Sequence, residues 1–397
     1  MSEPSPNLSS PHDAWIVFFA KSIRTLCYGF MGVLVPVVLT QMGFTKKELG
    51  YTFSLTLAAS AFITIVSTRL ARRFGLRSLL IALHGITVLS AALFLAGTKP
   101  WVYVVAAMVG NLALGVGETG PFLALEQVVL ARSVPTEKLT GFLSLYNLTG
   151  FICPAIGGVL VGWLGNRPHW LFWIFLLSGA VQSLLYVFSH PTPALPPKVA
   201  GEREPSRPLI RKIAALFALD AFGGGFILQS WVMYWFYIRF HLDLPSLGWI
   251  YFLLQMTTGL SLLAAAPLTK KWGLVNTMVF SHLISNLFLI AIPLAPTAAV
   301  AVLILFGRHL LSQIDVPTRQ AFLLLAVRDH EKEQASGLTT TWRTVSQAVS
   351  PTIGGWAMQG LFLSAPFLFG GGLKIVYDFF LYRLARRVTL EEAGRVS

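Results

Sequence analysis

Charged side chains inside long apolar stretches are the residues of this chain best placed to do chemistry. Lys21, Arg24 and Tyr28 follow one another at spacings of three and four residues, so on a helix they share one face. A charged group inside hydrocarbon costs roughly 3 kcal/mol unless it faces a cavity or a partner. This face therefore predicts a site that holds a polar ligand or an opposite charge.

Two carboxylic acids in apolar stretches are the best candidates for reversible protonation. Glu118 follows Asn111 by seven residues on one predicted helical face, and Asp315 shares another face with Arg308 and Arg319. Because a low-dielectric environment favours the neutral form of a carboxyl group, either acid could take up and release a proton. The alternative for Asp315 is permanent neutralisation by one of its two arginines, which would make it structural.

A third group of polar residues lies in the second half of the chain. Asp220 is followed by Gly223–Gly225 and by Gln229. The glycines predict a close approach of helices, with a hinge as the alternative. Lys374 and Asp378 are four residues apart, a spacing that predicts an ion pair within one helix and a structural role.

The histidines and cysteines predict neither a metal site nor a disulfide. His84, His282 and His309 each stand alone, and a lone histidine in an apolar helix usually packs through a hydrogen bond. Cys27 and Cys153 lie in different predicted helices. Since no catalytic set can be assembled either, we expect no enzyme activity and no cofactor.

The elements that position these residues are apolar windows of membrane-spanning length. The chain is 55% hydrophobic and 12% charged with a mean hydropathy of +0.67, which is incompatible with a soluble protein of this size. Windows of about 20 residues, each able to cross about 30 Å of hydrocarbon, recur along it. About twelve are present, near 14–40, 48–69, 78–98, 101–127, 139–164, 170–189, 210–238, 246–268, 275–295, 298–326, 335–362 and 365–385.

The two halves of the chain are related by an internal repeat. A duplicated membrane half with a binding site near the midplane is typical of secondary transporters. The repeat and a Pro-rich linker predict an N-terminal six-helix half at 13–189, a cytoplasmic linker at 190–208, a C-terminal six-helix half at 209–387, and tails at 1–12 (disordered) and 388–397. Pairs about 196 residues apart include Arg24 with Asp220, Pro121 with Pro317, and Asn147 with Arg343.

The net charge of +13 is distributed as a topology signal rather than as a nucleic-acid surface. Basic residues concentrate in alternate loops, in the linker and at the C-terminal end, whereas segments such as 293–297 carry none. This bias places both termini in the cytoplasm. We therefore expect a bilayer, not a nucleic acid, as the partner.

Two loop sequences carry a family resemblance. The second predicted helix ends in TRLARRFG (68–75) and the eighth in APLTKKWG (266–273). Both resemble the loop motif of the major facilitator superfamily, G-x-L-a-D-r-x-G-r. Arg72 and Lys270 stand where that motif has an acidic residue, so Glu126, near the cytoplasmic end of the fourth helix, is expected to pair with Arg72 or Arg73 instead.

The resemblance implies an all-α membrane protein with about twelve transmembrane helices in two pseudo-symmetric six-helix halves. In this superfamily the first and seventh helices face each other across a central cavity, so Arg24 and Asp220 are expected either to form a structural ion pair that locks one state or to belong to the substrate site. A pair that breaks on substrate binding would combine the two roles. The implied gate residues are Arg72, Arg73, Glu126 and Lys270. The implied cavity residues are Lys21, Arg24, Tyr28, Asn111, Glu118, Asn147, Asp220, Gln229, Arg308, Asp315, Arg319 and Arg343.

The fifth predicted helix bears on the direction of transport. Gly150 to Gly158 partly resembles the antiporter signature of the superfamily, with Cys153 where a glycine usually precedes Pro154. Close packing through small residues is the alternative explanation. The expected function is secondary active transport of a small molecule across the cytoplasmic (inner) membrane by alternating access, with proton-coupled efflux as the leading version.

Other functions remain open at this point. Proton-coupled uptake is the alternative within the transporter class, and a gradient-independent lipid flippase or a membrane sensor is the alternative outside it. The mixture of acidic and basic residues leaves anionic, zwitterionic and cationic ligands open. We expect a monomer that uses the proton as its coupling ion.

Overall fold

The computed structural model of the protein describes residues 11–115, 120–190, 208–327 and 331–396. Within these ranges the chain is helical and contains no β-strand. A short 3₁₀ turn at Ile292–Leu294 separates the twelfth and thirteenth helices. The helices are α1 (Pro11–Gln41), α2 (Lys46–Phe74), α3 (Leu76–Ala96), α4 (Pro100–Val109), α5 (Pro121–Ser133), α6 (Thr136–Leu164), α7 (His169–Val187), α8 (Pro208–Phe226), α9 (Gln229–Phe240), α10 (Leu244–Leu263), α11 (Ala265–Trp272), α12 (Leu274–Ala291), α13 (Ala298–Leu311), α14 (Asp315–Ala326), α15 (Lys332–Gly360) and α16 (Ala365–Val396).

Each apolar window predicted from the sequence contains α-helix in the part that the structure describes, so the predicted all-α membrane fold is confirmed. Nine helical stretches of the described chain are long and apolar enough to cross a membrane. α16 continues to Val396, so the predicted tail at 388–397 is helical through that residue. Four windows are divided between two helices each, near 101–127, 210–238, 246–268 and 298–326.

Two of these divisions occupy equivalent positions of the repeat. Pro121 opens α5 and Pro317 lies in the first turn of α14, where proline's missing N–H leaves no helical hydrogen bond unmade. Between α4 and α5, Asn111 and Gly120 have positive φ angles of 50° and 112°. Glu118 follows Asn111 in this break and lies outside the described residues. Asn111 lies outside α4 and α5, and a turn separates Arg308 in α13 from Asp315 in α14, so neither predicted face is one continuous helix; Asp315 and Arg319 still share a face of α14.

The chain divides into two compact units. Unit 1 comprises Met1–Phe44, Leu55–Val199 and Leu242–Phe252, and unit 2 comprises Thr45–Ser54, Ala200–His241 and Leu253–Ser397. The first turns of α2 thus group with unit 2, and those of α10 with unit 1, whereas the sequence assigned each to its own half. The predicted tail at 1–12 and linker at 190–208 lie mostly outside the described residues.

The two units repeat one packing pattern. In unit 1, α1 packs along α6 and α3 along α7; in unit 2, α8 packs along α15 and α12 along α16. The apolar core of unit 1 includes Leu80, Leu83, Leu125 and Val129. The core of unit 2 includes Ile213, Phe217, Met278, Phe322 and Leu381.

Glycines allow the closest of these helix contacts. A Cβ atom on Gly29 of α1 would overlap the backbone of Pro154 in α6, and one on Gly157 would overlap the carbonyl of Leu26. A Cβ atom on Gly225, the repeat equivalent of Gly29, would overlap the Ser350 side chain and the Gln347 carbonyl oxygen of α15. The glycines of the predicted fifth helix therefore have a packing role in unit 1.

Candidate functional site

A buried ion pair joins four helices of unit 1. The Arg24 guanidinium in α1 donates from Nη1 to Glu126 Oε1 at 2.8 Å and from Nη2 to Oε2 at 2.7 Å. The phenols of Tyr146 in α6 and Tyr186 in α7 donate to the same carboxylate, each at 2.8 Å. Glu126 is 0% and Arg24 1% exposed. We call these four residues the Glu126 cluster; a two-pronged pair of this kind fixes both position and orientation.

Aromatic rings contact Arg24 of this cluster and the neighbouring Lys21. Arg24 lies over the ring of Phe122 at 4.3 Å, and the Lys21 ammonium lies over the ring of Tyr146 at 3.4 Å. Such contacts stabilise a cation away from water. His84 stacks on Phe122 at 4.6 Å, and neither of its ring nitrogens has a hydrogen-bond partner within the described ranges. His84 therefore packs as an aromatic residue, without the hydrogen bond that the sequence led us to expect.

A larger ionic network fills the interior of unit 2. Asp220 in α8 accepts hydrogen bonds at Oδ2 from Arg319 at 2.8 Å and from Arg343 at 2.9 Å, and at Oδ1 from Lys374 at 2.5 Å. The same Arg319 nitrogen donates to Asp315 at 3.0 Å. α8, α14, α15 and α16 each contribute to this arrangement. Three cations thus converge on one carboxylate that is 2% exposed.

A histidine connects this carboxylate to a second one. His282 Nε2 in α12 lies 3.5 Å from Asp220 Oδ1, and its Nδ1 lies 2.6 Å from Asp378 Oδ1 in α16. Asn286, one turn further along α12, donates to Asp378 Oδ2 at 3.2 Å. A neutral imidazole has one N–H and an imidazolium has two, so only the protonated ring has an N–H on the side of each carboxylate. We call Asp220, Asp315, Arg319, Arg343, Lys374, His282, Asp378 and Asn286 the Asp220 cluster.

The structure brings several of the predicted cavity residues together. Asp220, Asp315, Arg319 and Arg343 meet in unit 2, and Lys21 lies beside Arg24 in unit 1. Tyr28, Asn111 and Gln229 are buried, Arg308 is half-buried and Asn147 is exposed. Glu118 lies outside the described residues.

The predicted gate partner of Arg72 is wrong. Glu126 is fully buried in α5, and its two oxygens accept four hydrogen bonds from Arg24 and the two tyrosines. Arg72, Arg73 and Lys270 are exposed at the ends of α2 and α11. A buried carboxylate already saturated by a guanidinium gains nothing from a surface arginine, which explains the difference.

Two further pairings differ from those expected. Arg24 pairs with Glu126 of unit 1, and Asp220 pairs with the bases of unit 2, so each finds its opposite charge within its own unit. Lys374 and Asp378 do not pair with each other as their spacing predicted: Lys374 bonds to Asp220, and Asp378 bonds to His282. For Lys374 and Asp378, contacts between helices override the helical spacing.

The sequence reasoning missed four residues of the cluster: Asn286, which it did not consider, and His282, Asp378 and Lys374, which it did not assign to the site. Each of the last three had a simpler local explanation, as a lone packing histidine or as an intrahelical pair. A signal was present, since His282 and Asn286 are four residues apart and therefore share a face of one helix.

Comparison with known proteins identifies the family. The model described as Major Facilitator Superfamily matches residues 17–351. The chain belongs to the major facilitator superfamily. The resemblance drawn from its loop motifs is confirmed, and with it the fold.

Relatives within the superfamily extend over nearly the whole chain. An uncharacterized membrane protein of Saccharomyces cerevisiae, YJR124C, is 21% identical over 93% of this chain and 93% of its own length. The multidrug efflux protein YfmO of Bacillus subtilis is 24% identical over 92% of this chain and 91% of its own. The crystal structure of the nucleoside transporter NupG superposes with a TM-score of 0.74 at 14% identity, covering 94% of this chain and 98% of that one.

Membership of the superfamily establishes the general activity. The protein is a multi-pass membrane transporter of small molecules and not an enzyme. The ionic clusters of its two units are therefore parts of a transport protein, where buried charges mark substrate or ion pathways.

Proposed function

We propose that this superfamily member is a proton-coupled exporter. It moves a small molecule out of the cytoplasm in exchange for protons, by alternating access, as a monomer in the cytoplasmic membrane with both termini on the cytoplasmic side. The observation that carries the proposal is the His282 bridge in the Asp220 cluster. It is a titratable ring between two buried carboxylates, in a network drawn from five helices.

Protonation of this bridge changes the bonding of the cluster. With an imidazolium at His282, Asp220 and Asp378 each have an N–H donor facing them. When the proton leaves, one of the two carboxylates loses a donor, and Asp220 depends more strongly on Lys374, Arg319 and Arg343. Binding of the proton thereby alters how tightly α8, α12 and α16 are held together, which is what coupling to a conformational change requires.

The direction of transport is inferred from two weaker lines of support. The relative YfmO is named a multidrug efflux protein and aligns over 92% of this chain. The Gly150–Gly158 segment partly matches the antiporter signature, although the contacts of Gly157 also explain its glycines by packing. Both favour export over uptake.

The test measures substrate and proton flux together. A thermal-shift screen of the purified protein against metabolites and drugs supplies a ligand, because binding to the folded state raises the melting temperature. The protein is then reconstituted in liposomes that contain a pH-sensitive dye. Export by antiport predicts proton movement opposite to that of the ligand.

Three outcomes are distinguishable in this assay. Proton movement in the same direction as the ligand would replace the proposal by uptake symport. Net transport of the ligand down its own gradient without any proton flux would overturn proton coupling, as expected for a gradient-independent flippase. Binding without exchange would instead indicate a sensor on the same scaffold.

A further inference from the structure

Metal-ligating side chains meet at the start of α1, away from both ionic clusters. His12, Asp13 and His190 offer ligand atoms that all lie within 4.8 Å of one another. Asp13 Oδ1 is 3.2 Å from His190 Nδ1 and 3.9 Å from His12 Nδ1. His12 and Asp13 stand in the first turn of α1, and His190 follows the end of α7, so the cluster joins two segments of unit 1.

The carboxylate of this cluster is buried, whereas its imidazoles are open to solvent. Asp13 is 1% exposed, and its Oδ2 atom has no hydrogen-bond partner among the described residues. The His12 and His190 side chains are 57% and 59% exposed. A buried carboxylate oxygen without a donor is costly, and a bound cation would remove that cost.

The backbone holds the carboxylate in place. The His190 backbone N–H donates to Asp13 Oδ1 at 3.0 Å, the kind of supporting hydrogen bond that orients a metal ligand. Favourable interaction with the helix dipole would explain an acidic residue in the first turn of α1, but not the two imidazoles beside it.

We propose that His12, Asp13 and His190 bind a divalent transition-metal ion, with Zn²⁺ as the ion that fits best. Two imidazole nitrogens and a carboxylate oxygen are ordinary zinc ligands, and in tetrahedral zinc sites the ligand atoms are about 3.3 Å apart. The fourth position would hold water. Two of the three ligands precede residue 17, where the superfamily match begins, so the site is a feature of this chain outside that match.

A metal ion bound by these three residues would link the start of α1 to the start of the interdomain linker predicted at 190–208. The metal would therefore stabilise unit 1 by adding coordinate bonds to the contacts that already join the two segments, which include the hydrogen bond from the His190 backbone to Asp13. The same distances also fit simple imidazolium–carboxylate ion pairs, and titration with Zn²⁺ distinguishes such ion pairs from a metal site.

The test uses the full chain purified without a histidine tag and treated with a chelator. Zn²⁺ affinity is measured by calorimetric titration, Co²⁺ is added as a spectroscopic probe of coordination, and melting temperature is followed with and without Zn²⁺. The variants are H12A and H190A, whose exposed side chains leave the fold intact, together with D13N. The matched control is H169A, since His169 is an exposed histidine at the start of α7.

The expected result is that Zn²⁺ raises the melting temperature of the wild type and of H169A. H12A and H190A should each bind Zn²⁺ at least about tenfold more weakly and lose the Co²⁺ absorption bands of a nitrogen-coordinated ion. Equal Zn²⁺ affinity in wild type, H12A and H190A would overturn the site. A melting temperature that responds to pH near neutrality but not to Zn²⁺ would also overturn it, leaving ion pairs alone.

Discussion

The Glu126 cluster allows a quantitative test of what the buried charges do for stability. Replacing Arg24 by methionine keeps a long apolar side chain but removes the guanidinium that donates to both oxygens of Glu126. The carboxylate is 0% exposed, so water cannot take the place of the lost donors without opening the helix contacts. Only the phenols of Tyr146 and Tyr186 would still donate to it among the bonds described.

The expected loss of stability is the cost of leaving one charge of a buried ion pair without its partner. Removing one partner of such a pair typically costs about 3–5 kcal/mol, because the remaining charge is desolvated and uncompensated. For a body of 150–250 residues, 1 kcal/mol shifts the melting temperature by about 2–4 °C, so R24M should lower it by roughly 10 °C. Adding Glu126→Leu removes the orphan charge. The double variant should therefore be more stable than R24M alone.

The assay is a double-mutant cycle on thermal unfolding of the purified protein in detergent. Arg73→Met is the matched control, because Arg73 is exposed at the end of α2, and it should change stability by less than about 0.5 kcal/mol. An R24M variant within 1 kcal/mol of the wild type would refute the reasoning. So would additive effects in the double variant, since they would show that the two charges do not depend on each other.

Further predictions concern coupling, packing and topology. His282→Asn should retain exchange of labelled ligand but lose proton-driven transport, because the amide cannot titrate. His169→Asn should leave both activities unchanged. Equal rates of proton-driven transport in the two variants would contradict the coupling role of His282. Gly157→Ala should lower the melting temperature by overlap with the α1 backbone, at a cost of about 1–3 kcal/mol. Gly337→Ala, where a Cβ meets nothing within 4 Å, should leave the melting temperature unchanged or raise it. Equal changes in melting temperature for Gly157→Ala and Gly337→Ala would exclude the packing explanation. A cysteine placed at Pro296 should react with an impermeant reagent on intact cells, and labelling only after lysis would contradict the predicted orientation.

The fold was predictable from the sequence because each sequence pattern that indicates it spans many residues and occurs more than once. Each apolar window consists of some twenty residues, and the internal repeat places the same pattern of windows in both halves of the chain. The matched Pro121 and Pro317 each lie in the first turn of a new helix, α5 and α14, because a proline in the first turn of a helix is tolerated far better than one in its interior.

The sequence predicts which types of residue form the candidate site, but not which of these residues contact one another. Charges in apolar windows single out Asp220, Arg319 and Arg343, and the structure brings these three side chains together, but their partners depend on how the helices pack. The local pairing of Lys374 with Asp378 was expected because they are one turn apart. A pair at that spacing is worth only about 0.2–0.5 kcal/mol on an exposed helix, and bonding to a buried carboxylate of another helix outweighs it.

The charge balance of the Asp220 cluster relates the nature of the substrate to the direction of transport. Arg319, Arg343 and Lys374 offset Asp220, Asp315 and Asp378, so a proton on His282 adds one positive charge to a balanced group. At 4 Å and an effective dielectric constant of 20, two unit charges interact by about 4 kcal/mol. A cationic substrate that engages these carboxylates would therefore compete with the proton, and competition for one site is the requirement for exchange. An anionic substrate would bind better to the protonated cluster, which is the requirement for symport. The export proposal thus predicts that ligands found by thermal shift are cations that stabilise the protein more at high pH than at low pH. Anions that stabilise it more at low pH would reverse the assigned direction.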